Sequence, residues 1–246
     1  MQNSYGDYTA HYTLDAHDMP MPEDLGFFRR HAEKRRLTVL ARMLSGRKKL
    51  RVLDAGCGSG WLSEMLAAQG HDVTAVDLGY DSLKRASVRM KSIGKRVTFL
   101  NGDIYCLPLK DGSFDAVIAS EIIEHLDRPL DAFAELARVL RPGGIAVVST
   151  PYRETIEQTL CIHCNEKTPV NAHLNSFDKQ KLESMFEASG LQVRTFSTFM
   201  SRPAERMGIS GFSGFLPYSL WRMMDACFCG LLGRQSFLAV RAMKSE

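Results

Sequence analysis

The stretch Arg51-Val52-Leu53-Asp54-Ala55-Gly56-Cys57-Gly58-Ser59-Gly60 decides the fold. Val52 and Leu53 continue Leu50 as a short apolar run, the pattern of a buried strand, and three glycines in five residues then break it. Glycine lets backbone pass close to a ligand with no side chain intervening. Residues 61–70 read as a helix ended by Gly70, so the turn delivers amide groups at a helix N-terminus. The spacing narrows the ligand. A dinucleotide fingerprint wants its third glycine where Trp61 stands, and a P-loop wants a lysine that this loop lacks.

Two more apolar runs end in polar groups. Asp77 closes Val73-Thr74-Ala75-Val76 and offers two oxygens to a ribose diol, while Asn101-Gly102-Asp103-Ile104 closes Val97–Leu100 with a polar and an apolar residue to flank a base. Asp54, two positions before the first glycine, suits a cation. Three strand ends are thus expected to converge on one crevice.

Taken with Phe114-Asp115-Ala116-Val117-Ile118, Glu124-His125-Leu126 and Leu140-Arg141-Pro142-Gly143-Gly144, these motifs resemble a class I S-adenosylmethionine-dependent methyltransferase, of the small-molecule group that includes the ubiquinone and menaquinone biosynthesis enzymes. The resemblance spans residues 35–245. It implies an α/β fold: a doubly wound, Rossmann-like, seven-stranded sheet with an antiparallel terminal strand, in three layers α/β/α. It also implies that Asp54, Gly56, Cys57, Gly58 and Gly60 lie against the methionine portion of S-adenosyl-L-methionine. Asp77 would take the ribose hydroxyls and Asp103 with Ile104 would border the adenine. Leu78 and Ser120 complete the candidate cofactor set.

The chain has 246 residues, 45% hydrophobic and 24% charged, which suits one globular domain with a sizeable core. A net charge of +3 is too small to argue for a polyanionic partner, and no nucleic-acid partner is expected. Residues 1–22 lack the apolar run of a secretory signal, and nothing reaches the ~18 apolar residues of a membrane span, so a cytoplasmic location is expected. Six scattered cysteines do not form a secreted-type disulfide framework and read as reduced.

The domain is read as a single unit over 1–246, with an N-terminal arm and helix over 1–49. Residues 1–24 are polar with three tyrosines, either a lid or a frayed end. Residues 27–45 read as a helix whose basic face, Arg29, Arg30, Lys34, Arg35, Arg36 and Arg42, is expected in solvent. Strands over 72–77, 96–101, 114–120 and 144–150 then alternate with helices over 80–93 and 128–140, implying a parallel sheet. Asp178 is expected to cap a helix running to Ser189-Gly190, with closing strands over 191–199 and 237–241. Two insertions remain, 152–177 and 200–235.

Methyl transfer needs alignment and, for a reluctant nucleophile, a base. His125 follows the fourth strand, and imidazole as a group can take a proton near neutral pH; the plainer reading is that Glu124 and His125 cap and orient the next helix. Cys57 reads chiefly as packing, and Cys106 likewise. In the first insertion Cys161-x-x-Cys164 is followed by His173, three ligands that tetrahedral zinc accepts, against a reduced structural turn. His173 has a second reading as a base lining the acceptor pocket.

Residues 207–233 are rich in Phe, Met, Leu and Trp. Core burial, a lid over a greasy acceptor, a homodimer face and a helix on the membrane surface all stay open for 200–235. No Asn-Pro-Pro-Tyr follows the fourth strand; Ser120-Glu121-Ile122-Ile123 stands there, against the nucleic-acid adenine methylating branches. A small, hydrophobic acceptor is expected. The rivals are a cofactor-binding sensor or assembly module without turnover, and a nicotinamide dehydrogenase.

Overall fold

The computed structural model describes residues 20–47, 49–94, 96–160, 167–209 and 213–245. Helix α1 (Phe27–Arg42) leads into strand β1 (Arg51–Ala55), α2 (Trp61–Ala68), β2 (Asp72–Asp77), α3 (Tyr80–Ser92), β3 (Thr98–Asn101) and β4 (Phe114–Ser120). Then come α4 (Pro129–Val139), β5 (Leu140–Pro151), α5 (Lys179–Ala188), and the long strands β8 (Leu191–Ser201) and β9 (Gln235–Lys244). The first insertion carries a small hairpin, β6 (Gln158–Leu160) with β7 (Lys167–Pro169). The second carries α6 (Arg202–Arg206) and α7 (Tyr218–Leu232).

Seven strands form one sheet in the order β3-β2-β1-β4-β5-β9-β8, with β9 antiparallel to both neighbours. This is the expected doubly wound sheet with an antiparallel end. The period-2 alternation of β-strands divides its apolar residues between two layers. Leu53, Val117, Ala146 and Val240 face α4 and α5, where Phe133 and Phe186 meet edge-on with centroids 4.9 Å apart. Val52, Ile118, Val147 and Ala239 face α1, α2 and α7 through Leu40, Leu66 and Trp221.

Register sets the site. Val52 pairs with both Val73 and Ala116, which puts β1 between β2 and β4, and Asp77 stands opposite Asn101. The carboxyl ends of β1, β2 and β4 therefore open on the same edge, at the reversal of strand order where such sheets take ligands. The turn Arg141–Gly144 is a bulge: Gly143 has φ 70° and the pairing slips between Phe114 and Ala116. Asp178 caps α5, accepting from the Lys181 amide at 2.9 Å.

One expectation needs correction. Arg35 and Arg36 are not part of a solvated basic face; both are buried. Arg35 lies 5.3 Å from the Trp221 ring and donates to the carbonyls of Ser213 (2.9 Å) and Leu216. The apolar segment 207–233 is only partly core. Trp221 and Asp225 of α7 are buried, but Leu220, Met223, Leu231 and Leu232 are exposed. The N-terminal arm up to residue 19 falls outside the described residues. Among the described residues, no helix is long and apolar enough to cross a membrane.

Candidate functional site

The glycine bend forms the floor of a cavity of about 310 Å³ whose lining includes Asp54, Gly56, Cys57, Gly58, Ser120 and Glu121. The Gly56 and Cys57 amides are anchored to the Val76 carbonyl at 2.8 and 3.1 Å, which pins the bend to β2. Gly56 has φ 74°, and a Cβ there would stand 2.2 Å from Ile122 Cδ1. No side chain fits at this position without displacing Ile122, so glycine is dictated by both conformation and space. Asp54 is buried and accepts from Ser63 Oγ at 2.6 Å. Burial, aided by the charge of Asp77, pushes its carboxyl up to about 6. Asp77 accepts from the Gly58 and Gly79 amides, both at 2.8 Å, so each of its oxygens is already held and offers its remaining lone pairs to a ligand.

The wall opposite the bend comes from α1, which sequence reasoning missed as a site element. Arg36 donates to Ser120 Oγ at 2.7 Å and to Glu33 at 3.0 and 2.5 Å, and lies 3.5 Å from the Glu121 carboxylate. Burial works against its charge, but Glu33 and Glu121 outweigh that and hold it up. Burial likewise works against an ionised Glu33, yet Arg36 draws its carboxyl below the usual range. Glu33-x-x-Arg36 at helical spacing was the available signal. Glu121 itself sits at φ 52°, a strained conformation for a residue with a side chain. Burial raises its carboxyl even though Arg36 opposes the shift, and Ser149 Oγ donates to it at 2.9 Å.

Next to Glu121 the first insertion folds back over β4. The Glu124 carbonyl accepts from the Leu174 and Asn175 amides at 2.8 and 2.9 Å, and this brings His173 against His125, ring centroids 4.7 Å apart and edge-on. Glu154 lies 2.5 Å from His173 Nδ1, and the Ala172 carbonyl lies 3.3 Å from His125 Nδ1. Both partners are acceptors, so each Nδ1 carries the proton; on His173 this leaves Nε2 as the basic atom. Glu124 is buried, neither carboxyl oxygen meets a well-formed hydrogen bond, and burial together with the Glu121 charge raises it strongly. The expectation that Glu124 and His125 cap α4 is not met: Arg128 is the N-cap, its own side chain makes no capping bond, and its amide donates to the Tyr105 hydroxyl at 3.2 Å.

The structure thus gathers Asp54, Gly56, Cys57, Gly58 and Ser120 on one cavity, with Gly60 and Asp77 in and beside the same bend. Leu78, Asp103 and Ile104 stand at the next strand ends and do not line it. Asp103 accepts from the Tyr105 amide at 2.9 Å, and Ile104 is buried. Of the expected metal ligands, Cys161 and Cys164 lie outside the described residues, and His173 is engaged by Glu154. A different set stands together: Glu124, His125 and His173 each offer a ligand atom, all within 4.8 Å of one another. One carboxylate with two imidazoles suits a borderline divalent cation.

Comparison with known proteins agrees with this geometry. A family model described as a methyltransferase domain matches residues 53–148. A probable S-adenosylmethionine-dependent methyltransferase of Mycolicibacterium smegmatis is 34% identical over 174 residues, covering 70% of this chain and 62% of that one. A ubiquinone biosynthesis O-methyltransferase of Rickettsia felis is 38% identical over 163 residues, covering 64% and 66%. The chain therefore spans somewhat under two thirds of the length of these curated relatives. Among solved structures, the [4+2]-cyclase SpnF superposes with TM-score 0.66 at 21% identity, covering 88% of this chain and 82% of the cyclase. A Burkholderia thailandensis 1,6-didemethyltoxoflavin-N1-methyltransferase gives 0.63 at 19%, covering 97% and 88%. Those two likenesses speak to the fold alone. With the domain match and both sequence relatives pointing the same way, residues 53–148 form a methyltransferase domain, and the chain is similar to S-adenosylmethionine-dependent methyltransferases.

Proposed function

We propose that this chain methylates a small-molecule acceptor, with the donor held by Asp54, Gly56, Cys57, Gly58, Gly60, Asp77, Leu78, Asp103, Ile104 and Ser120. The observation that carries the reading is the cavity on the glycine bend, walled at Gly56 where a Cβ would collide. S-adenosylmethionine supplies there an electrophilic methyl carbon on a cationic sulfur. The chain answers that charge with carboxylates: Asp54 and Glu121 both line the cavity, with Arg36 fixing the second.

An acceptor hydroxyl or amine must lose a proton as it is methylated. His173 is the base in this reading, oriented by Glu154 and packed edge-on against His125. The link to the donor side is Glu121, which lines the cavity and feels the His173 charge. A second reading of the pair is favoured by the buried Glu124, whose carboxyl oxygens meet no well-formed hydrogen bond: a divalent cation such as zinc held by Glu124, His125 and His173, which would polarise an acceptor oxygen. Metal analysis after metal-replete purification separates the two. The exposed face of α7 is the surface on which a second copy or a membrane would rest.

The test is turnover: purified protein, S-adenosylmethionine carrying a labelled methyl group, and a panel of phenols, quinols, carboxylic acids and amines. S-adenosylhomocysteine released with a labelled acceptor supports the proposal. Failure of calorimetry to detect S-adenosylhomocysteine binding at all would reject it, because the cavity would then serve another ligand.

A further inference from the structure

We infer that a second cavity, lined by Arg153, Arg202, Arg206 and Arg234, is an anion subsite for a phosphate ester. Its volume is about 450 Å³, enough for a phosphoryl or diphosphoryl group with room for the atoms that follow it. It opens at the end of β5, the end of β8 and the start of β9, on the same edge of the sheet as the glycine bend. From the end of β4 to β9 is two strand spacings, about 10 Å. A small molecule can span that distance.

Four arginines from three segments line it, and among the described residues no carboxylate lies within ion-pairing distance of any of them. Glu205, on α6 between two of them, is turned to Ser236, whose hydroxyl donates to it, and burial raises its carboxyl. The cavity is therefore left with a surplus of positive charge, and planar forks of this kind match phosphate oxygens bidentately.

The cavity is also built rather than accidental. Arg202 donates to the Tyr152 carbonyl at 2.7 Å while its amide bonds the Arg234 carbonyl at 2.9 Å, which ties the three segments into one rim. Arg153 and Arg234 both stand at left-handed φ, 49° and 50°, where residues with side chains are uncommon. Strain of this sort persists where the surroundings impose it and gathers at ligand sites. Leu231 and Leu232, exposed just before Arg234, supply an apolar border for a hydrocarbon tail beyond the charged group.

The role as an acceptor subsite rests on the methyl-transfer reading; anion binding itself does not. The experiment titrates the 246-residue protein with pyrophosphate and, in parallel, with S-adenosylhomocysteine. Wild type is expected to bind both, and the double variant Arg206→Ala/Arg234→Ala, two exposed side chains away from the glycine bend, to bind pyrophosphate at least tenfold more weakly with unchanged S-adenosylhomocysteine affinity. Arg206→Lys/Arg234→Lys should lose less. Co-sedimentation with phosphatidic acid vesicles, abolished in the alanine variant, would assign the phosphate to a lipid headgroup; pyrophosphate binding without sedimentation would assign it to a soluble ester. Pyrophosphate that fails to bind at millimolar concentration, or binds wild type and the alanine variant equally, overturns the site. If pyrophosphate binds and S-adenosylhomocysteine does not, the methyl-transfer reading fails and this site stands.

Discussion

The two halves of the sheet are built differently. On the β1–β2 side the floor of the candidate donor cavity is made by backbone: three glycines at positive φ, two amides on one carbonyl and a carboxylate gripped by two more amides. Toward the β5–β9 side the candidate acceptor region is made by side chains, all but His125 carried on two insertions: the His125–His173 pair with Glu154, and the four arginines. A ligand that never changes is matched once, by main chain that every side chain must respect. A ligand that varies is met by residues that change without disturbing the core.

Breaking the one element that serves both halves should cost most. Arg36→Ala leaves Glu33 and Glu121 without their shared cation beside the donor cavity. Removing one partner of such a buried pair is expected to destabilise by about 3–5 kcal/mol, read as a lower urea midpoint at unchanged slope. A loss under 1 kcal/mol would mean that water reaches the cluster and that the two halves are not coupled through it.

His173→Ala should instead spare the fold and the donor. If the base reading holds, kcat drops about 10²–10⁴-fold, or roughly 3–5 kcal/mol, with S-adenosylhomocysteine affinity unchanged. Glu154→Gln, which keeps a side chain beside Nδ1, should give a smaller loss of the same kind. Donor affinity falling in step with kcat would place His173 on the donor side and dissolve the division drawn above.

Asp54 tests the division by pH. Its folded pKa, about 6, lies above the ordinary 3.8, so the folded chain holds this proton more tightly than the unfolded one. Stability is therefore lost as pH rises from about 4 to 6, up to about 3 kcal/mol for a shift of roughly two units. Asp54→Asn removes that cost, and the variant should be up to about 3 kcal/mol more stable at pH 7 while binding S-adenosylmethionine more weakly. Wild-type donor affinity should fall as pH drops below 6 and the carboxylate is protonated. Stability flat between pH 4 and 7 in a variant series at this position would contradict the burial argument.

The same division explains what could be read from the sequence. Strand ends, the glycine bend and Asp77 were legible because backbone geometry leaves local marks: glycines where φ is positive, an acid where a parallel strand stops. The cap at Asp178 is local in the same sense. Arg36 was misread because its partners, Ser120 and Glu121, lie more than eighty residues away, and nothing in a basic helix face tells which guanidinium will turn inward. His125 and His173 were each visible, but their meeting depends on a fold-back held by two amides on the Glu124 carbonyl. The arginine cavity left no signal for a like reason: Arg153, Arg202, Arg206 and Arg234 come from two insertions and are joined only by the antiparallel end of the sheet.

The smallest effect belongs to α7. Leu231 is 77% exposed and is the penultimate residue of the helix, which is held by Trp221 and Asp225, the latter accepting from the Met200 amide at 2.9 Å and from Arg222 at 2.6 Å. Replacing an exposed leucine removes almost no buried surface, so Leu231→Ser should leave monomer stability within about 0.5 kcal/mol, measured as an unchanged urea midpoint at low protein concentration. The informative variable is concentration. A midpoint that rises with wild-type concentration but not with that of Leu231→Ser would show the apolar face covered by a second copy, since association stabilises by mass action. A loss above 1 kcal/mol at every concentration would mean that the face is buried within the monomer, and that the side-chain half of the molecule is packed more like the backbone half than its exposure implies.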